Sequence, residues 1–206
     1  MTPSQGTETP DELSRIYQAR FHGKSAYRMG VWRILIDQLF RRWIPEGGHV
    51  LDLGAGQGEF INQVQAQSKL AMDLNAKTGK YLTPDVTFFE QDCSSPWKVP
   101  AASLDLVFTS NFFEHLPDKA ALKKTLHQAH RALTPGGRLV ALGPNIRLLP
   151  GAYWDFWDHY LPLTELSLSE LAHLCGFETE ACWPATLPYS MSQGFQPPLF
   201  LLKLYL

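Results

Sequence analysis

An apolar stretch that runs directly into a glycine-rich loop limits the folds open to this chain more than any other feature. Residues 50–53 have the length and composition of a buried strand, and Gly54-Ala55-Gly56-Gln57-Gly58 follows at once. Glycine lets the backbone turn sharply and lets a ligand approach where a β-carbon would clash. The pattern predicts a strand, a ligand-binding loop and a helix, although a plain strand-to-helix turn has the same appearance.

Strand and helix signals alternate on both sides of this loop. Apolar periodicity predicts strands near 69–73, 86–90, 104–109 and 138–143, and helices near 57–66, 76–81 and 118–133. Asp118 is the expected N-cap of the last helix, and Pro135-Gly136-Gly137 is expected to close its far end. Such alternation predicts an α/β fold, a Rossmann-like, doubly wound, mainly parallel sheet with helices on both faces.

The two ends of the chain depart from this alternation. Residues 1–10 are expected to form a disordered tail before a single domain over 11–206. That domain divides into leading helices at 11–45, a cofactor-binding half at 46–143, and an acceptor lid with the C-terminal part at 144–206. The last part is predicted to contain a helix at 167–175 capped by Ser167, a strand at 177–183, and a final strand or short helix at 199–206.

Composition excludes several classes of protein. With 45% apolar and 18% charged residues the chain is globular, and its net charge of −2 without a Lys/Arg cluster argues against nucleic-acid partners. The opening is polar, and no apolar run approaches the roughly 20 residues that span a bilayer, so we expect a cytoplasmic protein without a membrane partner. Cys93, Cys175 and Cys182 lack metal-site spacing and are expected to be reduced, buried thiols.

The residues at and after the loop indicate which ligand it suits. A dinucleotide fingerprint would place a glycine at position 59, where Glu59 would repel a pyrophosphate. A ligand without phosphates, such as the zwitterionic amino-acid end of S-adenosylmethionine, suits the loop better. Asp73, about 20 residues further on at the end of the second strand, is placed to accept hydrogen bonds from both ribose hydroxyls. The alternative for Asp73 is an ordinary cap of the next helix.

Residues 16–187 resemble the class I S-adenosylmethionine-dependent methyltransferases. The likeness is strongest at the glycine loop and at residues 72–75, 90–92, 105–116 and 133–139. It implies that the glycines pass the methionine moiety, that Asp73 holds the ribose, and that Asp92 with the Cys93 backbone addresses the adenine. Asn111 lies where the fourth strand of the family meets the amino end of the cofactor. The residues predicted to bind S-adenosylmethionine are Asp52, Gly54, Ala55, Gly56, Gly58, Asp73, Leu74, Asp92, Cys93 and Asn111.

Two further details concern the type of methyltransferase. The opening helices and residues 158–177 resemble a bacterial subgroup, the type 11 and 12 methyltransferases, associated with glycan or secondary-metabolite pathways. The family normally completes its sheet with an antiparallel final strand, whereas here a proline-rich stretch leaves only residues 199–206 for it.

The segment after the fourth strand restricts the acceptor. Ser110-Asn111-Phe112-Phe113 lacks the Asp/Asn-Pro-Pro-Tyr/Phe motif of enzymes that methylate base amines. Related enzymes hold a divalent metal with Glu-x-x-Glu-His, but Asn111 replaces the first glutamate here, and one carboxylate with one imidazole is a thin site for Mg²⁺. We therefore predict no metal. The alternative to a metal site is that Glu114 and His115 form a pair that orders the loop.

An aromatic segment at residues 153–160 follows the fifth strand, where loops line the ligand crevice. An aromatic acceptor or a sugar could stack there, and Asp158 beside His159 could support removal of a proton from a hydroxyl. The predicted catalytic residues are His159 and His115, acting on a small-molecule hydroxyl, of a sugar or a secondary metabolite. The alternative is a lid that packs on the core without touching the acceptor.

Two other classes of protein compete with a methyltransferase. An NAD(P)-dependent oxidoreductase is disfavoured by Glu59 and by the absence of a Tyr-x-x-x-Lys pair. A non-catalytic Rossmann-like domain that binds a ligand stays open.

Overall fold

A computed structural model of the chain describes Glu12, residues 25–187 and residues 196–206. Five strands form one sheet in the order β3-β2-β1-β4-β5, and all four pairings are parallel. The strands are β1 (His49–Leu53), β2 (Ser68–Asp73), β3 (Val86–Glu90), β4 (Leu104–Ser110) and β5 (Leu133–Leu142). The expected tail at residues 1–10 and the first leading helix lie outside the described residues.

Within residues 25–187 and 196–206 four α-helices accompany the sheet: α1 (Ser25–Leu35), α2 (Lys119–Ala132), α3 (Glu165–Leu174) and α4 (Leu199–Tyr205). The first continues as a π-turn (Ile36–Phe40) and a 3₁₀ turn (Arg41–Trp43). Shorter 3₁₀ turns cover Ala76–Lys80, Phe113–His115 and Ala152–Asp155. The C-terminal apolar run is thus a short helix rather than a strand.

Apolar side chains cover both faces of the sheet, as the α/β prediction requires. On one face the π-turn after α1 contributes Phe40, whose ring centroid lies 5.0 Å from that of Phe108 on β4, while Phe60 stacks on Phe108 at 3.7 Å. On the other face α2 buries Leu122 and Leu126 against the strands. The predicted doubly wound, Rossmann-like sheet is confirmed.

The predicted helix at 57–66 is wrong. After the glycine loop the chain makes turns as far as Gln63, with isolated bonds from Asn62 N to Gly58 O (3.0 Å) and from Val64 N to Phe60 O (3.2 Å). Gly58 has a φ of 71°, which a right-handed helix cannot include. The positive φ at Gly58 therefore keeps the start of this segment out of a right-handed helix.

The start of one helix is confirmed and that of another is corrected. Asp118 caps α2 by accepting a 2.7 Å hydrogen bond from Ala121 N. The N-cap of α3 is Thr164, not Ser167, because Ser167 is the third helical residue and completes a reciprocal capping box with Thr164. Both residues carry hydroxyls, so residue type alone did not separate the two positions.

The predicted strand at 177–183 is also wrong. Among the described residues β5 pairs with β4 alone, and the chain after α3 runs beside β5 without joining the sheet. Instead Phe177 packs edge-on against His130 of α2 at 5.2 Å, and the side chains of Arg138 and Glu180 form a 2.8 Å ion pair. Side-chain contacts thus replace the backbone ladder that the alternating pattern suggested.

β5 itself begins earlier than predicted. Leu133 pairs with Leu104, the ladder is interrupted around Gly136, whose φ is 82°, and it resumes at Arg138. The predicted Pro-Gly-Gly closure of α2 is therefore an irregularity inside the strand.

Two smaller expectations concern burial and membranes. Cys93 and Cys175 are buried as predicted, whereas Cys182 is exposed, because the segment that carries it does not enter the sheet. Within residues 25–187 and 196–206, no helix has both the length and the apolar character needed to cross a bilayer.

Candidate active site

The glycine loop sits at the carboxyl ends of β1 and β2 in a conformation that only glycine adopts readily. Gly54, Gly56 and Gly58 have φ values of 73°, 55° and 71°. The Gly54 amide donates a 2.8 Å hydrogen bond to the Met72 carbonyl, and a β-carbon on Gly54 would overlap the ring of Phe112. The glycines are thus required by backbone geometry and by close packing at this edge of the sheet.

Asp73 closes the loop from the end of β2. Its Oδ2 accepts a 2.9 Å hydrogen bond from Gly56 N, and its Oδ1 accepts a 2.8 Å hydrogen bond from Asn75 N. The N-cap of the following 3₁₀ turn is Asn75, so the alternative that Asp73 is an ordinary cap is wrong. Burial raises the pKa of Asp73, and the hydrogen bonds from Asn75 and Gly56 offset part of that rise.

Carboxyl groups are concentrated behind the loop. Asp52 is buried, and its pKa is raised well above the usual range, first by burial and then by the charges of Glu59 and Asp73. Arg28 of α1 forms a 2.6 Å ion pair with Glu59. From the sequence alone, Glu59 is only a departure from the dinucleotide-binding fingerprint. Asp52, Glu59 and Arg28 line one large cleft. A cationic ligand would lower the electrostatic cost of these carboxylates, so the sulfonium and ammonium of S-adenosylmethionine fit the site.

Asn111 stands at the end of β4 in the same cleft. It has a left-handed φ of 47°, which asparagine tolerates better than most residues. Its backbone amide donates to the Leu142 carbonyl at 2.8 Å, and its Nδ2 donates to Ser110 Oγ at 3.1 Å. Asp52, Gly54, Ala55 and Gly56 line this cleft with it.

The other predicted cofactor residues lie outside the lining of that cleft: Gly58, Asp73, Leu74, Asp92 and Cys93. Asp92 Oδ1 accepts from Ser94 N at 2.8 Å and closes its own turn. The Cys93 carbonyl accepts from Trp97 Nε1 at 2.7 Å, and burial raises the pKa of its thiol to about 12. Apart from Gly58 in the loop after β1, the structure therefore gathers the predicted residues in two groups, one in the cleft and one along the ends of β2 and β3.

Two histidines that were predicted separately meet beyond the end of β4. The ring centroids of His115 and His159 are 4.8 Å apart. His115 Nδ1 lies 2.8 Å from the Asp158 carbonyl oxygen, and His159 Nδ1 lies 2.7 Å from the Tyr153 carbonyl oxygen. Because a carbonyl can only accept, each Nδ1 carries a proton, and each neutral ring has its lone pair on Nε2. Both rings line the cleft.

Buried carboxylates surround His115. Asp158 Oδ2 lies 3.3 Å from His115 Nδ1, and the Asp158 side chain is only 2% exposed. Burial lowers the pKa of His115, but the hydrogen bond from its ring to Asp158 and the charges of Glu114 and Asp158 outweigh it and raise that pKa overall. The sequence placed Asp158 with its neighbour His159, whereas the structure pairs the Asp158 carboxylate with His115.

A second contact holds the aromatic segment against the 3₁₀ turn that follows β4. The Tyr153 hydroxyl donates a 2.5 Å hydrogen bond to Glu114 Oε1, and the Glu114 carbonyl accepts from Tyr160 N and Leu161 N at 2.8 and 3.0 Å. Burial raises the pKa of Glu114, and His115 and Tyr153 counter part of that rise. No spacing in the sequence signals the Tyr153–Glu114 contact, which joins residues 39 positions apart.

Part of the aromatic segment faces the cleft. Tyr153, Phe156 and His159 line it, and the Tyr153 and His159 rings lie 4.5 Å apart. Trp157 is 73% exposed and is not part of the cleft lining. The flat apolar surface expected for an acceptor is thus smaller than the five aromatic residues suggested.

The same cluster has the composition of a metal site. One donor atom each from His115, Asp158 and His159 lie within 4.8 Å of one another. Two imidazoles and one carboxylate suit Zn²⁺ better than the oxygen-preferring Mg²⁺. Both Nδ1 atoms are engaged with backbone carbonyls, so the two rings could ligate a metal only through their Nε2 atoms.

Comparison with known proteins identifies the family. Residues 25–181 match the family described as a methyltransferase domain, and the chain belongs to that family. The predicted resemblance to class I S-adenosylmethionine-dependent methyltransferases is confirmed, S-adenosylmethionine is the cofactor that the family implies, and the oxidoreductase alternative is disfavoured. The finer subgroup stays a prediction.

Individual relatives are distant. A demethylmenaquinone methyltransferase of Symbiobacterium thermophilum is 26% identical over 75% of this chain and 66% of its own length. A 27-O-demethylrifamycin SV methyltransferase of Amycolatopsis mediterranei is 31% identical over 47% of this chain and 38% of its own. A SAM-dependent methyltransferase of Archaeoglobus fulgidus has the same fold, with a TM-score of 0.63 and 21% identity over 80% of this chain and 74% of its own. The chain thus spans less than two thirds of either curated relative.

Proposed function

We propose that this protein transfers a methyl group from S-adenosylmethionine to a hydroxyl of a small molecule, such as a sugar or a secondary metabolite. His115 or His159 takes the proton of that hydroxyl. The observation that carries the proposal is the pair of imidazoles, each with its lone pair on Nε2, in the cleft that also contains Gly54, Gly56 and Asn111.

The cofactor half rests on the glycine loop and the acidic groups around it. Asp73 supplies a carboxylate for the ribose hydroxyls, while Asp52 and Glu59 place carboxyl oxygens beside the loop. Asp92 and the Cys93 backbone are assigned to the adenine, and Leu74, which is 46% exposed, to its ring face. When bound, S-adenosylmethionine supplies the methyl group and leaves as S-adenosylhomocysteine.

The acceptor half rests on the histidines. An alkyl hydroxyl is a poor nucleophile until its proton begins to leave, and an imidazole that accepts the proton typically contributes about 10² to 10⁴ in rate. Asp158 holds the His115 ring in the tautomer that presents Nε2, and Tyr153 does the same for His159 through its carbonyl. The proton moves from the hydroxyl to Nε2 as the new carbon–oxygen bond forms.

The names of the two curated relatives favour small molecules over macromolecules. One name contains demethylmenaquinone and the other 27-O-demethylrifamycin SV, and the second specifies an oxygen atom as the demethylated position. The net charge of −2 agrees with an acceptor that is not a polyanion.

Methyl transfer from labelled S-adenosylmethionine to a panel of phenols and sugars tests the proposal. We expect His115→Ala or His159→Ala to lower turnover at least about tenfold and to leave the affinity for S-adenosylhomocysteine within about twofold. His173→Ala is the matched control, since His173 is exposed at the end of α3 and lies outside the cleft lining. Normal turnover in both variants, or a product methylated on nitrogen or carbon, would contradict the assignment.

A further inference from the structure

The cleft that contains the two imidazoles continues well beyond them along β5. Its volume is about 1720 Å³, whereas small-molecule sites usually measure about 300–1,000 Å³. Among the described residues β5 is an edge strand, and the chain at 176–187 lines the other side of the cleft without pairing with it. The site therefore has room for much more than a cofactor and a hydroxyl group.

The part of this cleft next to the imidazoles has apolar walls. The Leu142 carbonyl accepts from Asn111 N, and the Leu161 amide donates to the Glu114 carbonyl, so these two leucines join the cleft wall to the candidate active site. Side chains alternate along β5, so Leu139 and Ala141 line the cleft from one face of the sheet, whereas Val140 and Leu142 belong to the opposite face. Leu163, Leu168 and Phe177 lie on the same face as Leu139 and line the cleft with it.

A pair of charges bounds this apolar stretch. Arg138, directly before Leu139, forms the 2.8 Å ion pair with Glu180 on the opposite side of the cleft. From Leu142 to Leu139 the strand covers about 10 Å, at about 3.3 Å per residue. The cleft thus offers an apolar channel of limited length that begins at the imidazoles and ends at a polar pair.

We infer that the acceptor carries an apolar chain, which lies along Leu139 and Ala141 while its hydroxyl group reaches the imidazoles. The inference rests on the proposed function and adds the class of acceptor, an amphipathic hydroxyl compound. The continuity of the channel with the imidazoles favours a part of the acceptor as its occupant over a separate protein segment. Because the walls are aliphatic and aromatic, binding energy comes from removing the chain from water.

A series of 4-alkylphenols, measured by calorimetry with saturating S-adenosylhomocysteine, tests the inference. A fully buried methylene contributes about 0.8 kcal/mol, or about fourfold in affinity. We therefore expect 4-octylphenol to bind at least about thirtyfold more tightly than 4-butylphenol, and longer chains to gain little once they reach the ion pair.

Two tryptophan variants locate the effect. Ala141 is exposed in the wall of the cleft, so Ala141→Trp fills the channel and should remove most of the gain between the butyl and octyl compounds. Ala120→Trp is the matched control, since Ala120 is also exposed, lies on α2 and does not line the cleft. S-adenosylhomocysteine binding reports that each variant is folded, and Ala141→Leu replaces Ala141→Trp if the latter fails that check.

Several results would overturn the inference. Affinity that does not depend on chain length, or an equal gain in Ala141→Trp, would show that the channel does not hold the chain. A dimer of the wild type that Ala141→Trp converts to monomer would assign the channel to a second copy of the protein. Failure of the wild type to bind S-adenosylhomocysteine would instead contradict the proposed function, so the two failures are distinct.

Discussion

The His115 imidazole and the Asp158 carboxylate meet from positions 43 residues apart, with Nδ1 3.3 Å from Oδ2 and 2.8 Å from the Asp158 carbonyl oxygen. One partner ends the turn after β4, and the other lies in the segment after β5. A buried carboxylate against Nδ1 both orients the ring and favours its protonated form. Asp158 is therefore a positioning residue that acts through His115.

Asp158→Asn should move the pH dependence of turnover. The pKa of His115 is raised overall because Asp158 and Glu114 outweigh burial, and the base must be unprotonated to act. Removing the Asp158 charge lowers that pKa, so the acidic limb of the kcat profile shifts to lower pH. The plateau should fall at least about tenfold as the ring loses its orientation. If the acidic limb of the kcat profile does not shift in Asp158→Asn, the base is His159.

The same pair should make stability depend on pH. A histidine whose pKa is raised by folding contributes stability that is complete below its unfolded pKa of about 6.5 and is lost as the pH rises through the folded value. We expect wild type to exceed Asp158→Asn by about 1 to 3 kcal/mol in free energy of unfolding at pH 5.5. Urea unfolding at pH 5.5 and pH 9 should show this difference shrinking at the higher pH. A difference that is equal or larger at pH 9 would contradict the pairing.

Asp73→Ala should weaken binding of S-adenosylhomocysteine by about 1.5 to 3 kcal/mol, the range for a hydrogen bond to a charged group. The carboxylate is also bonded to Gly56 N, so the variant loosens the glycine loop as well. Calorimetry gives the affinity, and Asp73→Asn, which keeps one acceptor oxygen, should lose less. Wild type should be stabilised thermally by S-adenosylhomocysteine and not by NAD. Unchanged affinity in a folded Asp73→Ala protein would remove Asp73 from the site.

Turnover should survive chelation. Asn111 replaces the glutamate of metal-dependent relatives, and both histidine Nδ1 atoms are bonded to backbone carbonyls. Activity after dialysis against EDTA should equal that of untreated protein. Because His115, Asp158 and His159 together suit Zn²⁺, the dialysed enzyme is also assayed with added Zn²⁺, Mg²⁺ and Mn²⁺. Loss of activity that one of these ions restores would make the cluster a metal site.

Local signals in the sequence were enough for the class of fold and the position of the loop. The roles of the glycines at 54, 56 and 58 could be predicted because positive φ values restrict residue type. Asp118 could be predicted as a cap because a cap bonds within its own helix. The same local reasoning failed at 57–66 and 177–183. There the spacing of apolar residues matched a helix and a strand, but the chain forms neither element. Periodicity reports which residues are buried and not what their backbone pairs with.

The sequence by itself therefore determined a parallel α/β sheet with a ligand loop after its first strand, since each of those features depends on residues close together in the chain. Only the tertiary structure decided that Asp158 faces His115, that Arg28 pairs with Glu59, and that an apolar channel runs along β5. Those contacts join segments that no spacing rule connects. Their geometry depends on how α1, the aromatic segment and the chain after α3 pack around the sheet, and packing is decided by the whole fold at once.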